Sequence, residues 1–129
     1  MILTIRTDKP AAEVGLYDGE VQLGYDIWAA HRQLAETIHL RIKHLLESQR
    51  KNLHDIEGIV VFAGPGSFTG LRIGITIANA LAMGIGVPVV GAQSEKWIPR
   101  GADKLRRGMN EHPVTPKYGA EVHITLQKK

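Results

Sequence analysis

Cysteine is absent from this 129-residue chain, and aromatic residues are scarce. The lack of cysteine excludes a disulfide framework and thiolate metal sites. It suits a reducing compartment, so we expect a cytoplasmic protein. Aromatic residues make up only 5% of the chain, although 43% of its residues are apolar. The core must therefore consist mainly of Ile, Leu, Val and Ala, and the length fits one domain.

Targeting and membrane segments are not indicated. The chain does not open with a basic region followed by an apolar stretch, so no secretory signal is expected. Residues 73–94 carry no charge and would be long enough to cross a bilayer. Pro88 and several glycines interrupt this stretch, however. A buried helix followed by a buried strand is the better interpretation, and we expect no membrane association.

The most informative segment is the glycine-rich string at residues 64–74, GPGSFTGLRIG. It follows an apolar run and leads into an uncharged run rich in Ala and Ile. Strand, turn and helix in this order expose backbone N–H groups where an anion or another chain can dock. The Walker phosphate loop needs a lysine that is missing here. The dinucleotide fingerprint needs glycine at position 69, where Thr69 stands.

This string and the flanking residues 55–91 resemble the bacterial TsaB (YeaZ) family. Its members are non-catalytic partners in making threonylcarbamoyladenosine beside the tRNA anticodon. The resemblance is weaker over residues 1–48 and fades beyond residue 97. It implies an α/β fold of the ribonuclease-H-like, actin-like (ASKHA) type. It also implies binding to a TsaD-type synthase, with ATP, the metal ion and the acyl-adenylate held by partners and no cofactor in this chain.

The pattern of apolar residues predicts the order of elements. Strands are expected at residues 1–6, 12–17, 21–27, 59–62 and 87–91, and helices at residues 31–49 and 69–85. Asp18 and Gly19 form a hairpin signal between the second and third strands. The pattern itself indicates only an α/β fold. The resemblance implies a single ribonuclease-H-like lobe with a mixed five-stranded sheet.

We expect this lobe to cover residues 1–94 and a short basic tail to cover residues 95–129. The tail is predicted to contain a short amphipathic piece at residues 102–109 and a last strand at residues 122–126. It stands in place of the second lobe that family members normally carry. We interpret the chain as a minimal one-lobe member rather than a fragment of something longer.

The first strand bears on catalysis. Actin-type phosphotransferases place an aspartate there to hold the metal-bound nucleotide, and Arg6 stands at the matching position here. We therefore expect no catalytic residue and no metal site in this chain. The alternative function is a small nucleotide- or phosphate-binding protein of the actin-like class, which would use Asp8, Ser67 and Thr69.

The six histidines carry no metal-binding signature. His39 and His44 are five residues apart, so they do not share one face of a helix. No His-Glu-x-x-His string is present. Surface or half-buried histidines are the expected outcome.

The glycine turn has two interpretations. Its glycines permit backbone angles that other residues resist, and Ser67 or Thr69 can cap the following helix. The turn is then either an anion or partner contact, or only a tight connection from strand to helix. The candidate residues are Gly64, Pro65, Gly66, Ser67 and Thr69.

Small residues recur every four positions in the second predicted helix, at Gly70, Gly74, Ala78 and Ala82. Such a smooth stripe permits close approach of the protein's own sheet or of a helix from another subunit. The resemblance implies that both predicted helices bind the TsaD-type partner and mediate self-association as a dimer. The candidate interface residues are Leu34, Ile38, Ile42, Gly70, Arg72, Ile73, Gly74, Ile77 and Ala78.

The net charge of +3 comes from the last part of the chain. Such a basic segment is either a solvated surface, which we favour, or a contact for tRNA phosphates. Any tRNA contact is expected to be indirect, and a TsaE-type ATPase is a further candidate partner. The cations are Lys96, Arg100, Lys104, Arg106, Arg107, Lys117, Lys128 and Lys129.

Overall fold

The computed structural model describes residues 1–30 and 33–117. These residues form five strands, β1 (Ile2–Arg6), β2 (Ala11–Asp18), β3 (Val21–Ala29), β4 (Gly58–Gly64) and β5 (Val89–Gln93). They also form three α-helices, α1 (Leu34–Ser48), α2 (Phe68–Ile85) and α3 (Trp97–Arg106). One turn of 3-10 helix covers Leu53–Asp55.

The strands form one mixed five-stranded sheet, as predicted, and the structure gives their order as β3-β2-β1-β4-β5. β1, β2 and β3 are joined antiparallel, whereas β4 lies parallel to both β1 and β5. The turn between β2 and β3 contains Gly19 with a φ of +60°, the left-handed conformation that glycine adopts without strain. The hairpin predicted from Asp18 and Gly19 is therefore confirmed.

The helices lie on both faces of the sheet. Gly24 of β3 faces Leu45 of α1, and α2 lies beside α1. Val60 of β4 faces Gly101 of α3. Because strand side chains alternate between faces, the β1–β4 register places α1 and α3 on opposite sides. The core lies mainly between the sheet and the α1–α2 layer, and its fully buried members include Leu3, Ile5, Val14, Leu16, Ile38, Ile59, Val61 and Leu71.

The structure shifts some predicted boundaries. α1 begins at Leu34 within a predicted span of residues 31–49, of which residues 31 and 32 lie outside the described ranges. α2 begins at Phe68 after Ser67, and it ends at Ile85, where Gly86 with a φ of +73° forms the C-cap. The uncharged residues 73–94 thus form most of α2 and then β5. None of the helices in the described ranges is both long and apolar enough to cross a membrane.

α3 begins five residues before the amphipathic piece predicted at residues 102–109. Trp97 is buried, and its ring meets Phe62 of β4 edge-on, with ring centroids 5.8 Å apart. Gly101 allows the helix to approach Val60 closely. Residues 97–106 therefore pack on the sheet of the lobe. The strand predicted at residues 122–126 lies outside the described ranges.

Candidate functional site

The end of β1 is closed by an internal ion pair. The Arg6 Nε donates to Asp8 Oδ1 at 2.7 Å, and the guanidinium lies 3.8 Å from the centre of the Phe62 ring. Only 16% of the Arg6 side chain and 7% of the Asp8 side chain are exposed. A cation bound by Asp8 would first have to displace Arg6 from the carboxylate.

The glycine turn packs against this pair. A side chain at Gly66 would bring its Cβ to 2.7 Å from the Cβ of Asp8, so only glycine fits there. Gly64 has a φ of +119°, which also favours glycine. Ser67 caps α2 by accepting from the Gly70 N–H at 3.4 Å. Pro65 lies exposed at the turn. These contacts favour the interpretation of the turn as a tight connection from β4 to α2.

The first part of the small-residue stripe is filled by this chain's own Thr7, which is 3% exposed. The Thr7 hydroxyl donates to the Gly70 carbonyl at 2.6 Å. A Cβ at Gly70 would collide with the Thr7 carbonyl oxygen, and a Cβ at Gly74 would collide with the Thr7 hydroxyl. We call Gly70, Gly74 and Thr7 the glycine notch. Ala78 and Ala82 continue the stripe and are 0% and 2% exposed.

Several candidate interface residues are also buried within the chain. The apolar stripe of an amphipathic helix normally faces its own core, and α1 follows this rule. A partner would have to move the helices off the sheet to contact these side chains. They are Leu34, Ile38, Ile42 and Ala78.

The remaining candidates lie on the outer side of the two helices. Arg72 and Thr69 are exposed and Ile73 is half-buried, whereas Ile77 is a buried core residue at 9% exposed that nevertheless lines the same groove. Together with Ala35 and Thr76 these residues line a groove of about 340 Å³ between α1 and α2. We call this groove and its six lining residues the outer groove.

A second groove and several single exposed apolar side chains occur elsewhere on this part of the chain. The second groove, of about 520 Å³, lies between α1, residues 51–54 and Leu81. Leu40 and Leu53 are 55% and 39% exposed, and Met83 of α2 is 70% exposed. The second groove is the kind of apolar surface that protein partners cover, whereas single exposed apolar side chains are common on any protein.

Sequence reasoning missed how the free edge of β5 is closed. The Val89 N–H donates to Asn110 Oδ1 at 3.2 Å, and the Glu111 N–H donates to the Val89 carbonyl at 2.8 Å. The Gly91 N–H donates to Glu111 Oε1 at 2.9 Å, and Lys104 Nζ donates to the Gly91 carbonyl at 2.7 Å. These bonds satisfy the outward-facing groups of Val89 and Gly91. An exposed strand edge would otherwise invite pairing with another chain.

The same segment is also tied to α2 and β4. The Asn79 side-chain amide donates to the Val114 carbonyl at 3.1 Å, and its oxygen accepts from the Val114 N–H at 2.9 Å. The Lys117 N–H donates to the Ala63 carbonyl at 2.7 Å. We call residues 110–117 the edge strap. No periodic pattern in the sequence marks it, because its bonds join residues far apart along the chain.

Two tyrosines cover part of the sheet face that carries α3. The Tyr25 hydroxyl donates to Glu13 Oε1 at 2.6 Å, and its ring lies over Gly15. Burial, followed by the hydrogen bond to Glu13, raises the pKa of Tyr25 well above its ordinary value. Burial and the charge of Glu13 raise the pKa of Tyr17 as well. Within the described ranges, the buried hydroxyl of Thr4 on this face has no hydrogen-bond partner.

The cations of α3 differ in their surroundings. Arg107 donates to Asp103 at 2.6 Å and Arg106 at 3.4 Å, and the contact with Arg107 is the main reason why the pKa of Asp103 is lowered. Lys128 and Lys129 lie outside the described ranges.

No group of three His, Cys, Asp or Glu side chains able to hold a metal occurs in residues 1–30 and 33–117.

Comparison with known proteins assigns the family. The family model for TsaD, described as tRNA N6-adenosine threonylcarbamoyltransferase, matches residues 28–115. The chain is 35% identical over 102 residues to the tRNA threonylcarbamoyladenosine biosynthesis protein TsaB of Escherichia coli. That match covers 78% of this chain and 43% of the relative. The chain belongs to the TsaD/TsaB (YeaZ) family. This confirms the resemblance found in the glycine-rich string.

Other relatives come from both branches of the family. A tRNA N6-adenosine threonylcarbamoyltransferase of Cereibacter sphaeroides is 36% identical over 111 residues, which cover 78% of this chain and 30% of the relative. YeaZ from Pseudomonas aeruginosa superposes with a TM-score of 0.68 and 25% identity, over 83% of this chain and 49% of YeaZ. The chain thus spans less than half the length of these relatives.

A more distant structure supports the fold alone. Thermus thermophilus RuvC in complex with a Holliday junction superposes with a TM-score of 0.53 and 14% identity. This match covers 91% of this chain and 83% of RuvC. Together with YeaZ, it confirms the predicted ribonuclease-H-like, actin-like class with a mixed five-stranded sheet.

Proposed function

We propose that this chain is a non-catalytic scaffold subunit of a threonylcarbamoyltransferase complex. It binds a TsaD-type enzyme and holds it in the conformation that transfers the threonylcarbamoyl group to the tRNA adenosine next to the anticodon. ATP, the metal ion and the acyl-adenylate are then held by partner subunits, among them a TsaE-type ATPase. The protein works in the cytoplasm, and its contact with tRNA is indirect.

The observation that carries this proposal is the closed end of β1. Arg6 occupies the position where actin-type phosphotransferases have their nucleotide-binding aspartate, and it is paired with Asp8 and stacked on Phe62. A guanidinium at this point repels the metal ion that such chemistry uses. The E. coli relative named for threonylcarbamoyladenosine biosynthesis supports the same pathway.

The partner surface in this proposal is the outer groove together with the second groove beside α1. The glycine notch and the buried side of α1 already serve the core, which leaves the outward side of both helices for binding. Thr76 lies in the middle of α2, is exposed, and lines the groove. The same surface supports self-association as a dimer when the enzyme is absent.

Light scattering of the chain mixed with a TsaD-type enzyme tests this proposal. We expect a complex at micromolar concentrations, and we expect Thr76→Arg to weaken it about tenfold or more, because the new charge is desolvated in the interface. Val21→Arg is the matched control, since Val21 is 63% exposed beside the β2–β3 turn. The proposal fails if no complex forms although both proteins are folded, or if the two variants behave alike.

Activity separates a scaffold from an enzyme. The chain alone should transfer no threonylcarbamoyl group, and its addition should raise the rate of the TsaD-type enzyme. Nuclear magnetic resonance titration of the chain with Mg-ATP should cause no saturable shift of the Asp8, Ser67 and Thr69 amides. Transfer by the isolated chain, or saturable shifts of these three amides, would instead support the alternative that uses Asp8, Ser67 and Thr69.

A further inference from the structure

A pocket of about 360 Å³ with charged and apolar lining residues lies beyond the carboxyl ends of β4 and β5, between α3 and the edge strap. Ligands of open α/β sheets bind in crevices at this end of the strands. The volume falls within the range of roughly 300 to 1,000 Å³ that small-molecule sites occupy. The lining includes Gln93 at the end of β5, Arg100 and Lys104 of α3, and Lys117 of the edge strap.

The charges in this pocket do not balance. Lys104 lies 3.1 Å from the Glu111 carboxylate and donates to the Gly91 carbonyl, so these two opposite charges offset each other. The side chains of Arg100 and Lys117 also line the pocket. No hydrogen bond or ion pair within residues 1–30 and 33–117 engages either of them. The pocket therefore carries two positive charges that are not offset by a described residue.

The surroundings reinforce this positive potential. Residues 95–129 contain eight Lys or Arg and four Asp or Glu, whereas residues 1–94 contain eight and nine. The pairing of α3 cations is uneven. Arg106 and Arg107 are held by Asp103, whereas Arg100 is one helical turn from Lys104 and lines the pocket with it. The pocket is thus a part of this basic region where cations remain available for a ligand.

We propose that this pocket is a binding site for the phosphate group of a phosphorylated ligand. Arg100 binds two phosphate oxygens with its planar guanidinium, and Lys117 supplies a second positive charge from the opposite wall. The Lys104–Glu111 pair fixes the edge strap, which positions Lys117. The phosphate belongs to a small molecule or to an RNA. This inference goes beyond the proposed function, because the outer groove lies on the other face of the sheet from α3.

Nuclear magnetic resonance titration of the full chain at constant ionic strength tests the site. The probes are inorganic phosphate, adenosine monophosphate and a short single-stranded RNA. We expect saturable shifts of the Gly91, Gln93 and Lys117 amides. Arg100→Ala should weaken binding about tenfold or more. Arg107→Ala removes the same charge from the residue directly after α3, outside the pocket, and it should change the affinity less than about twofold.

The probes assign the source of the phosphate. Saturation by phosphate or adenosine monophosphate with this variant pattern supports a small-molecule site. Saturation by RNA alone with the same pattern supports an RNA phosphate. Equal weakening by Arg100→Ala and Arg107→Ala would show diffuse charge attraction and overturn the proposal, as would the absence of saturable shifts at the pocket. Arg100→Gln provides a second variant, and the spectra themselves report whether each variant is folded.

Discussion

The glycine notch and the edge strap hold the fold together in opposite ways. In the notch, the two glycines have no side chain, so Thr7 contacts the backbone of α2 directly. In the strap, polar side chains reach across gaps to bind backbone groups of β5 and Val114. The most conspicuous motif of the sequence thus serves internal packing. An inconspicuous loop closes the sheet edge and borders the charged pocket.

This difference separates packing from binding. The notch has no room for a ligand or a partner, because each missing Cβ is replaced by an atom of Thr7. The strap, by contrast, leaves its own Lys117 and the neighbouring Arg100 available to a ligand. Small-residue spacing alone therefore does not identify an interface. The outward side of the same helices must be considered separately.

The largest effect is expected from filling the notch. Gly70→Ala places a Cβ against the Thr7 carbonyl oxygen, which the backbone cannot easily move away. We expect the free energy of unfolding to fall by about 3 kcal/mol in denaturant titrations. Gly84→Ala makes the same change in the same helix where nothing lies within 4 Å. It should raise the free energy of unfolding by about 0.5–1 kcal/mol. A gain in stability for both variants would contradict the close contact between Thr7 and Gly70.

Removing the cation at the end of β1 should have the next largest effect. Arg6→Ala leaves the largely buried Asp8 carboxylate without its partner. We expect a loss of about 2 kcal/mol, since hydrogen bonds to charged groups contribute more than neutral ones. The double variant Arg6→Ala/Asp8→Ala should recover part of this loss. If the double variant is instead destabilised by the sum of both single effects, the two residues are not coupled.

Removing a side chain that holds the edge strap should lower the free energy of unfolding by less than Arg6→Ala does. Asn79→Ala removes both hydrogen bonds to Val114, and we expect a loss of about 1 to 2 kcal/mol with faster hydrogen exchange at the Val114 amide. Asn79→Asp keeps the acceptor for that amide, so its exchange should change less. Equal exchange rates in both variants would contradict the role assigned to the side-chain oxygen.

The smallest effect concerns pH. Arg107 lowers the pKa of Asp103 below its ordinary value, so the ionised carboxylate is favoured by folding. Its contribution is present above the ordinary pKa and is lost as the pH falls through the folded value. The Tm of the chain should exceed that of Asp103→Asn slightly at neutral pH, with the gap closing in acid. A difference in Tm that widens in acid would contradict a lowered pKa of Asp103.

Periodicity predicted the elements well and their contacts less well. Alternating strands, the Asp18-Gly19 turn and the apolar faces of the two helices predicted the five strands and the first two helices, whereas the mixed sheet was implied by the family resemblance. α3 begins earlier than predicted because Trp97 is buried on Phe62, a contact that joins residues 35 positions apart. The edge strap was missed for the same reason. Its polar bonds depend on distant residues and leave no repeating pattern.

The candidate site was predicted only in part. The stripe of Gly70, Gly74, Ala78 and Ala82 permitted either the protein's own sheet or another chain, because small residues admit any close neighbour. The structure shows Thr7 in contact with its two glycines, and this contact could not be read from the sequence. Binding of the partner at the outer groove stays a prediction.

Hydrogen exchange of the chain with and without a TsaD-type enzyme tests the central claim most directly. That claim is that the outward side of α1 and α2 binds the partner while the notch stays internal. We predict slower exchange in α1 and in residues 69–77 of α2, and no change in residues 110–117. Slower exchange confined to the edge strap or to β3, or none in an established complex, would contradict it.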